Sequence, residues 1–411
     1  MSKLAAISLF TGAGGLDFGF EAAGFRTSVA VEIDSRCGVT LRRNRHWPLI
    51  DRDIASVPTD ELLGIAGLKT GEADVLIGGP PCQPFSKSGF WATGDTKRLD
   101  DPRATTLEGY LRVLADARPR AFLLENVEGL GFKGKDEGLQ LINARLAVLN
   151  STHGTNYRAS IATLNAADYG VPQLRKRIFV VGARDGSSFD FPAPTHMDSA
   201  DDDWSETRRR YLTAWDALHD LAEPNDPEVL LKGKWAKLLP TIPEGQNYLW
   251  HTDRGGGEPL FGWRRRYWSF LLKLARNQPS WTIQAQPGPA TGPFHWRNRR
   301  LTMREMARLQ TFPDGIEIMG TLADAQRQLG NAVPPLLGEV LARAIAEQLL
   351  GVPKRHAPPR LSVMPADRPP PSPPAVKRVP AEFLSLRGRH EAHPGTGRGA
   401  GALARTLVPS E

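Results

Sequence analysis

Over its first 183 residues the chain alternates short apolar runs with longer stretches whose apolar positions recur every three or four residues. The runs at 4–10, 27–32, 73–78, 120–125, 157–164 and 177–183 read as strands, and the segments 15–23, 35–43, 103–117 and 138–150 read as helices. Strands separated by helices predict an α/β fold on a mostly parallel, doubly wound sheet. After Gly182 the texture changes. From 184 to 297 the periodicity weakens and eight of the ten tryptophans appear, which predicts a smaller, irregular second domain. Regular helix returns at 302–310, where Thr302 and Glu305 have the spacing of a capping box. A further helix at about 335–350 places Leu337, Val340, Leu341, Ala344 and Ile345 on one face. Regular structure is therefore expected over 1–183 and 298–351, on either side of the insert 184–297. Beyond Gly351, twelve prolines in sixty residues and no apolar period predict a disordered tail over 352–411.

Composition narrows the class. With 411 residues, 40% hydrophobic and 24% charged, the chain can bury a sizeable core and is neither fibrous nor disordered. Two cysteines, Cys37 and Cys82, cannot form a disulfide framework or fill a zinc site, so no metal is expected. No apolar run approaches the ~18 residues of a membrane span. Residues 4–10 form a strand-like start rather than a secretory signal, which predicts a cytoplasmic protein.

The net charge of +7 is unevenly spread. Residues 352–411 contribute +6, with ten bases and four acids, which leaves the body at +1. Within the body, 185–229 holds twelve acids and three bases, whereas 254–300 holds nine bases and one acid, Glu258. Such segregation predicts a localised polyanion contact.

Several loops carry candidate chemistry. The first strand runs into Phe10-Thr11-Gly12-Ala13-Gly14-Gly15-Leu16-Asp17 before a helix. Glycines at a strand–helix turn admit a ligand close to the backbone, but Asp17 stands where a dinucleotide fingerprint needs its third glycine. A different nucleoside cofactor is left open. Glu32, at the end of the second strand, is placed for ribose hydroxyls, and Asp53 for an adenine amine. The strand at 73–78 leads into Gly78-Gly79-Pro80-Pro81-Cys82-Gln83-Pro84-Phe85-Ser86, a rigid loop that displays a cysteine as a nucleophile would be displayed. The strand at 120–125 ends in Glu125-Asn126-Val127, across the same crevice. Arg175 and Arg177 flank Lys176 and point to one side of their strand.

In this order the motifs resemble those of the DNA cytosine-5 methyltransferases over nearly all of residues 1–350. The resemblance rests on F-T-G-A-G-G at 10–15, G-P-P-C-Q-P-F-S at 79–86, E-N-V at 125–127 and Q-L-R-K-R at 173–177. It continues with R-L-T-x-R-E-x-x-R-L-Q-x-F-P at 300–313 and G-N-A-V-P at 330–334. It implies a Rossmann-like catalytic domain in two parts, 1–183 and 298–351, that binds S-adenosylmethionine, and a target-recognition domain at 184–297. Phe10, Gly12, Gly14, Gly15, Glu32, Asp53, Ile54, Pro80, Asn331 and Val333 would hold the cofactor. Cys82 would be the nucleophile, with Glu125, Arg175 and Arg177 around the target base. Gln83 and Ser86 would touch the DNA, and Arg264, Arg265, Arg266 and Arg297 are the candidate base readers. The sequence departs from the family at Leu174, where a basic residue is usual, and at Thr106, where an apolar cofactor contact is usual.

The implied activity is methyl transfer to cytosine in duplex DNA, in a monomer paired functionally with a restriction endonuclease. Transfer RNA is the alternative substrate, and the long insert argues against it. A catalytically dead DNA-binding relative is the other alternative, against which the intact Cys82, Glu125 and Arg177 argue.

Overall fold

The apolar runs assemble into one seven-stranded sheet in a computed structural model that describes residues 3–81, 105–128, 137–198, 208–263, 267–288 and 290–387. The strands are β1 (Leu4–Leu9), β2 (Phe25–Val31), β3 (Leu49–Ile50), β4 (Val75–Gly78), β5 (Ala121–Asn126) and β6 (Ser160–Asn165). A two-residue β7 (Gln173–Leu174) precedes the last sheet strand, β8 (Lys176–Ala183). Their order is β3-β2-β1-β4-β5-β8-β6. Pairing is parallel from β3 to β5, while β8 runs antiparallel to both β5 and β6. The order reverses at β1, between β2 and β4, and such a switch point opens a ligand crevice at the carboxyl ends of the strands.

Both faces of the sheet are covered over β1, β2, β4, β5 and most of β8, which is why these strands read as continuous apolar runs. Helices α1 (Gly15–Ala23), α2 (Ser35–Asn44), α3 (Thr59–Ala66), α4 (Thr105–Ala117) and α5 (Glu137–His153) alternate with the strands. Ile7, Leu9 and Val29 pack with Leu62, Leu111 and Leu146 of α3, α4 and α5. Ala6, Val75, Ile77 and Phe179 face the other way, onto Phe20 of α1 and onto Leu337, Leu341 and Ile345 near the C-terminus.

The insert is irregular, as expected. Short β9 (His196–Met197) and β10 (Arg209–Arg210) pair with each other, α6 (Ala214–Leu218) follows, and β11 (Ser280–Trp281) pairs with β7. A core of its own, built on Leu238, Leu239, Ile242, Tyr248, Leu260, Leu271 and Phe294, spans less than 184–297. The flanking residues join the body: Phe189 enters the sheet's core, and Ala214, Ala217 and Leu218 pack with Trp296, Met306 and Leu309. The chain then forms α7 (Met303–Leu309), α8 (Leu322–Asn331) and α9 (Pro335–Leu350). The capping box at α7 closes as its spacing predicts: the Glu305 N–H donates to Thr302 Oγ1 (3.0 Å) and the Thr302 N–H to Glu305 Oε2 (2.8 Å).

The tail corrects an expectation. Residues 352–387, predicted to be disordered, lie along the body and end in a four-residue helix, α10 (Ala381–Leu384). Local periodicity could not show this, because the segment makes no core of its own. It is held by backbone hydrogen bonds to body side chains and by Phe383, which is buried in the insert's core. Residues 388–411 lie outside the described residues. Among the described residues no helix is long and apolar enough to cross a membrane.

Candidate active site

The turn after β1 is built from unusual backbone. Phe10, Gly12 and Gly14 all have positive φ (54°, 58° and 82°), and a non-glycine residue in that region carries strain of the sort found at ligand sites. Gly14 caps the N-terminus of α1 without a side-chain bond. Gly15 has no room for a side chain: a Cβ there would collide with the carbonyl oxygen of Val333. The G-N-A-V-P turn is thus seated directly on the glycine turn, with Val333 buried and Asn331 exposed.

Glu32, only 9% exposed, ties this turn to β2. Its Oε2 accepts the Gly12 N–H and its Oε1 the Asp34 N–H, each at 2.7 Å. Burial raises its pKa against the pull of those two bonds. A carboxylate has about four acceptor positions, so two are left for ribose hydroxyls. Asp53 is exposed and caps the turn at Ile54–Ser56, accepting the Ala55 N–H at 3.0 Å. Ile54 is buried against Gly109 of α4, where a Cβ would lie 2.8 Å from it. A positively strained glycine turn at a helix N-terminus, with a buried carboxylate one strand away, fits a nucleoside cofactor.

Two strands from β1 on its other side, beyond β4, lies a buried charge cluster. Glu125, at the end of β5, is 7% exposed and pairs with Arg177, whose Nε lies 3.0 Å from Oε1. Burial raises the pKa of Glu125, while Arg177 and then Arg175 oppose the rise. Arg175 is fully buried. Its Nη2 donates to the Gly330 carbonyl (2.9 Å) and its N–H to Asn165 Oδ1 (3.1 Å), while Nε and Nη1 have no partner among the described residues. Gly79 passes so close that a Cβ would sit 2.7 Å from Glu125 Oε2. The buried Pro80 accepts the Asn126 side-chain N–H (3.2 Å), and Thr106 donates its hydroxyl to the Pro81 carbonyl (3.2 Å). The base of the cysteine loop is therefore fixed beside the Glu125 carboxylate. Thr106, which stands in place of an apolar residue, pins that base.

Cys82, Gln83, Ser86, Arg264, Arg265 and Arg266 lie outside the described residues. Cys37 is buried in α2, and burial pushes its thiol pKa far up, as suits an inert packing residue. Arg297 is engaged within the protein: with Arg299 it pairs to Glu223. Gly255, Gly256 and Gly257 close around Trp250. Of the insert's tryptophans, Trp235 and Trp250 pack on its core, while Trp263 and Trp268 are each 41% exposed. Asn165 and Gly330, which hold Arg175, were not singled out for that role. Only Gly330 carried a signal, through its motif.

Glycine turn, buried carboxylate at the end of β2 and the β3-β2-β1-β4-β5-β8-β6 sheet with its reversed strand fit an S-adenosylmethionine-dependent methyltransferase. Residues 4–347 match the family of C-5 cytosine-specific DNA methylases, and the chain belongs to it. It transfers a methyl group from S-adenosylmethionine to carbon 5 of cytosine in DNA. The Type II methyltransferase M.SacI of Streptomyces achromogenes is 42% identical over 372 residues, covering 84% of this chain and 94% of its own. M.NgoFVII of Neisseria gonorrhoeae is 33% identical, covering 82% and 85%. Among solved structures, a prophage-encoded DNA modification methyltransferase of E. coli superposes with a TM-score of 0.59 at 25% identity, over 85% of this chain and all of its own.

Proposed function

We propose that the chain methylates cytosine within one specific duplex sequence and protects that sequence from a partner restriction endonuclease in the same cell. The observation that carries the site assignment is Glu125, buried between Gly79 at the base of the cysteine loop and the two arginines.

Carbon 5 of cytosine is a weak nucleophile. Addition of the Cys82 thiolate to carbon 6 makes carbon 5 enamine-like. Glu125, whose burial favours its protonated form, places a proton on ring nitrogen 3 so that charge does not build on the ring. Arg177, with Arg175 in support, holds the carbonyl oxygen; the unpartnered Arg175 donors would be satisfied by such an acceptor. When bound, S-adenosylmethionine supplies a methyl group on a positively charged sulfur. The carbon-5 proton then passes to solvent, the proton on nitrogen 3 returns to Glu125 and the Cys82 thiolate leaves, which frees the product. The cytosine must leave the base stack first, at a cost of a few kcal/mol. The insert supplies the surface that reads the sequence.

Incubation of the protein with labelled cofactor and either duplex DNA or transfer RNA tests this reading, followed by bisulfite sequencing of DNA from a methylation-free host that expresses it. The expected result is label in duplex DNA and conversion-resistant cytosines at one recurrent sequence. Label confined to transfer RNA, or cytosines protected without sequence preference, overturns it.

A further inference from the structure

Residues 352–387 follow the 4–347 stretch that matches the family, yet they touch the molecule in three places in succession. The first is on α9. Glu339, fully buried, accepts the N–H groups of Arg360 (2.7 Å) and Leu361 (2.9 Å), while Arg343 donates to the carbonyls of Ala357 (2.7 Å) and Pro358 (3.1 Å). The second is on α6, at the junction of body and insert. Asp216 Oδ1 accepts the Ala366 N–H (2.8 Å), and the Trp215 indole N–H donates to the Arg368 carbonyl (2.9 Å). The third is the insert itself. Arg276 donates to the Pro371 carbonyl (3.1 Å), and the Lys377 N–H donates to the Pro240 carbonyl (3.0 Å). Phe383 then enters the insert's core, 1% exposed, stacked on Trp235 with ring centroids 5.9 Å apart. Lys237–Glu382 and Glu258–Arg387 ion pairs flank it.

A proline-rich chain suits such a path. It loses little conformational freedom when held extended, and it keeps every carbonyl as an acceptor while having few N–H groups to satisfy. The contacts with the catalytic body come first and those with the insert last, so the segment bridges the two units. Among the described residues, Phe383 is the one buried member of the insert's core that comes from outside the 231–294 region.

We infer that residues 352–387 are a strap that positions the insert against the catalytic body, with Phe383 as its anchor, and so sets how the two units grip DNA. The inference rests on the reading of the insert as the target-recognition unit. A bridge of this kind acts on binding rather than on the bond-making step, because it touches neither the glycine turn nor Glu125.

The test compares full-length wild type, Phe383→Ala and Phe383→Leu in steady-state methyl transfer to duplex DNA, alongside amide hydrogen exchange without DNA. Phe383→Ala should raise KM for DNA about tenfold while kcat stays within about twofold. Phe383→Leu should recover most of the loss. Exchange should speed up over 238–294 in Phe383→Ala while β1, β4 and β5 keep their protection. If Phe383→Ala does not fold, Trp215→Phe, which removes one strap hydrogen bond and keeps an aromatic ring in place, replaces it, with a smaller rise in KM expected. Unchanged KM together with unchanged exchange over 238–294 overturns the strap, as does a fall in kcat alone. Wild type that transfers no methyl to DNA defeats the functional reading instead, and the exchange comparison still decides whether the strap holds the insert.

Discussion

At the residue scale the chemistry divides between a nucleophile and a proton source. Cys82→Ser removes the thiolate with little change of volume, so methyl transfer should vanish while DNA binding persists. Measurable turnover in that variant would overturn the covalent route. Glu125→Gln keeps the shape and removes the proton, so kcat should fall by about 10²- to 10⁴-fold in single-turnover assays. A fall in cofactor affinity with kcat intact would place Glu125 in the wrong half of the crevice. A second titratable residue matters for stability. Burial drives the pKa of His295 from 6.5 down to about 3, with Glu305 beside it partly opposing the shift. Below pH 6.5 the unfolded chain takes up a proton at this position that the folded chain refuses. Stability should therefore fall as the pH drops from about 6.5 toward 3, with a slope approaching about 1.4 kcal/mol per pH unit from this residue. His295→Asn, which preserves an acceptor for the Arg297 N–H now held by Nδ1 at 3.1 Å, should flatten that slope. Urea unfolding at several pH values from 7 to 4 measures it, and identical slopes in the two proteins would exclude His295 as the cause.

At the element scale the site is a contact between the first turn of the catalytic domain and the last. Gly15 of α1 is seated on Val333 just before α9, and Arg175 before β8 is held by the Gly330 carbonyl at the end of α8. Gly15→Ala forces these turns apart. It should weaken S-adenosylmethionine binding by calorimetry and lower Tm by several degrees, since small-to-large changes at packed sites cost about 1–3 kcal/mol. Unchanged cofactor affinity would mean that the two turns meet away from the pocket. These contacts also show what the sequence could disclose. Strands buried on both faces, the Thr302–Glu305 box and the motif glycines are local patterns and were legible. The β3 strand has two residues and so too little pattern to read. Helix α8 is mostly polar, although Thr321 and Asp324 form a capping box in front of it. That Asn165 and Gly330 hold Arg175 depends on contacts 10 and 155 residues apart in the chain, which no local pattern encodes.

At the scale of the whole molecule the charge pattern changes meaning. Acids concentrated in 185–229 and bases in 254–300 suggested a polyanion contact, yet folding matches part of this charge within the protein. Glu223 takes Arg297 and Arg299, Glu244 takes Arg276, and Glu258 takes Arg387 of the strap. Arg254 lies over the Trp263 ring, 4.4 Å from its centroid. Of the candidate base readers, Arg297 is thus already matched, whereas Arg264, Arg265 and Arg266 lie between the exposed Trp263 and Trp268 in the sequence. The expected outcomes separate accordingly. Arg297→Ala should cost no more than about 1 kcal/mol of stability, the usual range for an exposed ion pair, and leave the methylated sequence unchanged. Alanine at Arg264, Arg265 and Arg266, one at a time, should weaken DNA binding, and each arginine that serves only a phosphate should make the salt dependence shallower by about one unit. One that reads guanine should instead relax a single base position, by about 1–3 kcal/mol of discrimination. Methylation of the cognate site and of every single-base mismatch, at two salt concentrations, distinguishes the two. Relaxed specificity in Arg297→Ala with none in the other three would reverse the assignment and require that Glu223 release Arg297 when DNA binds.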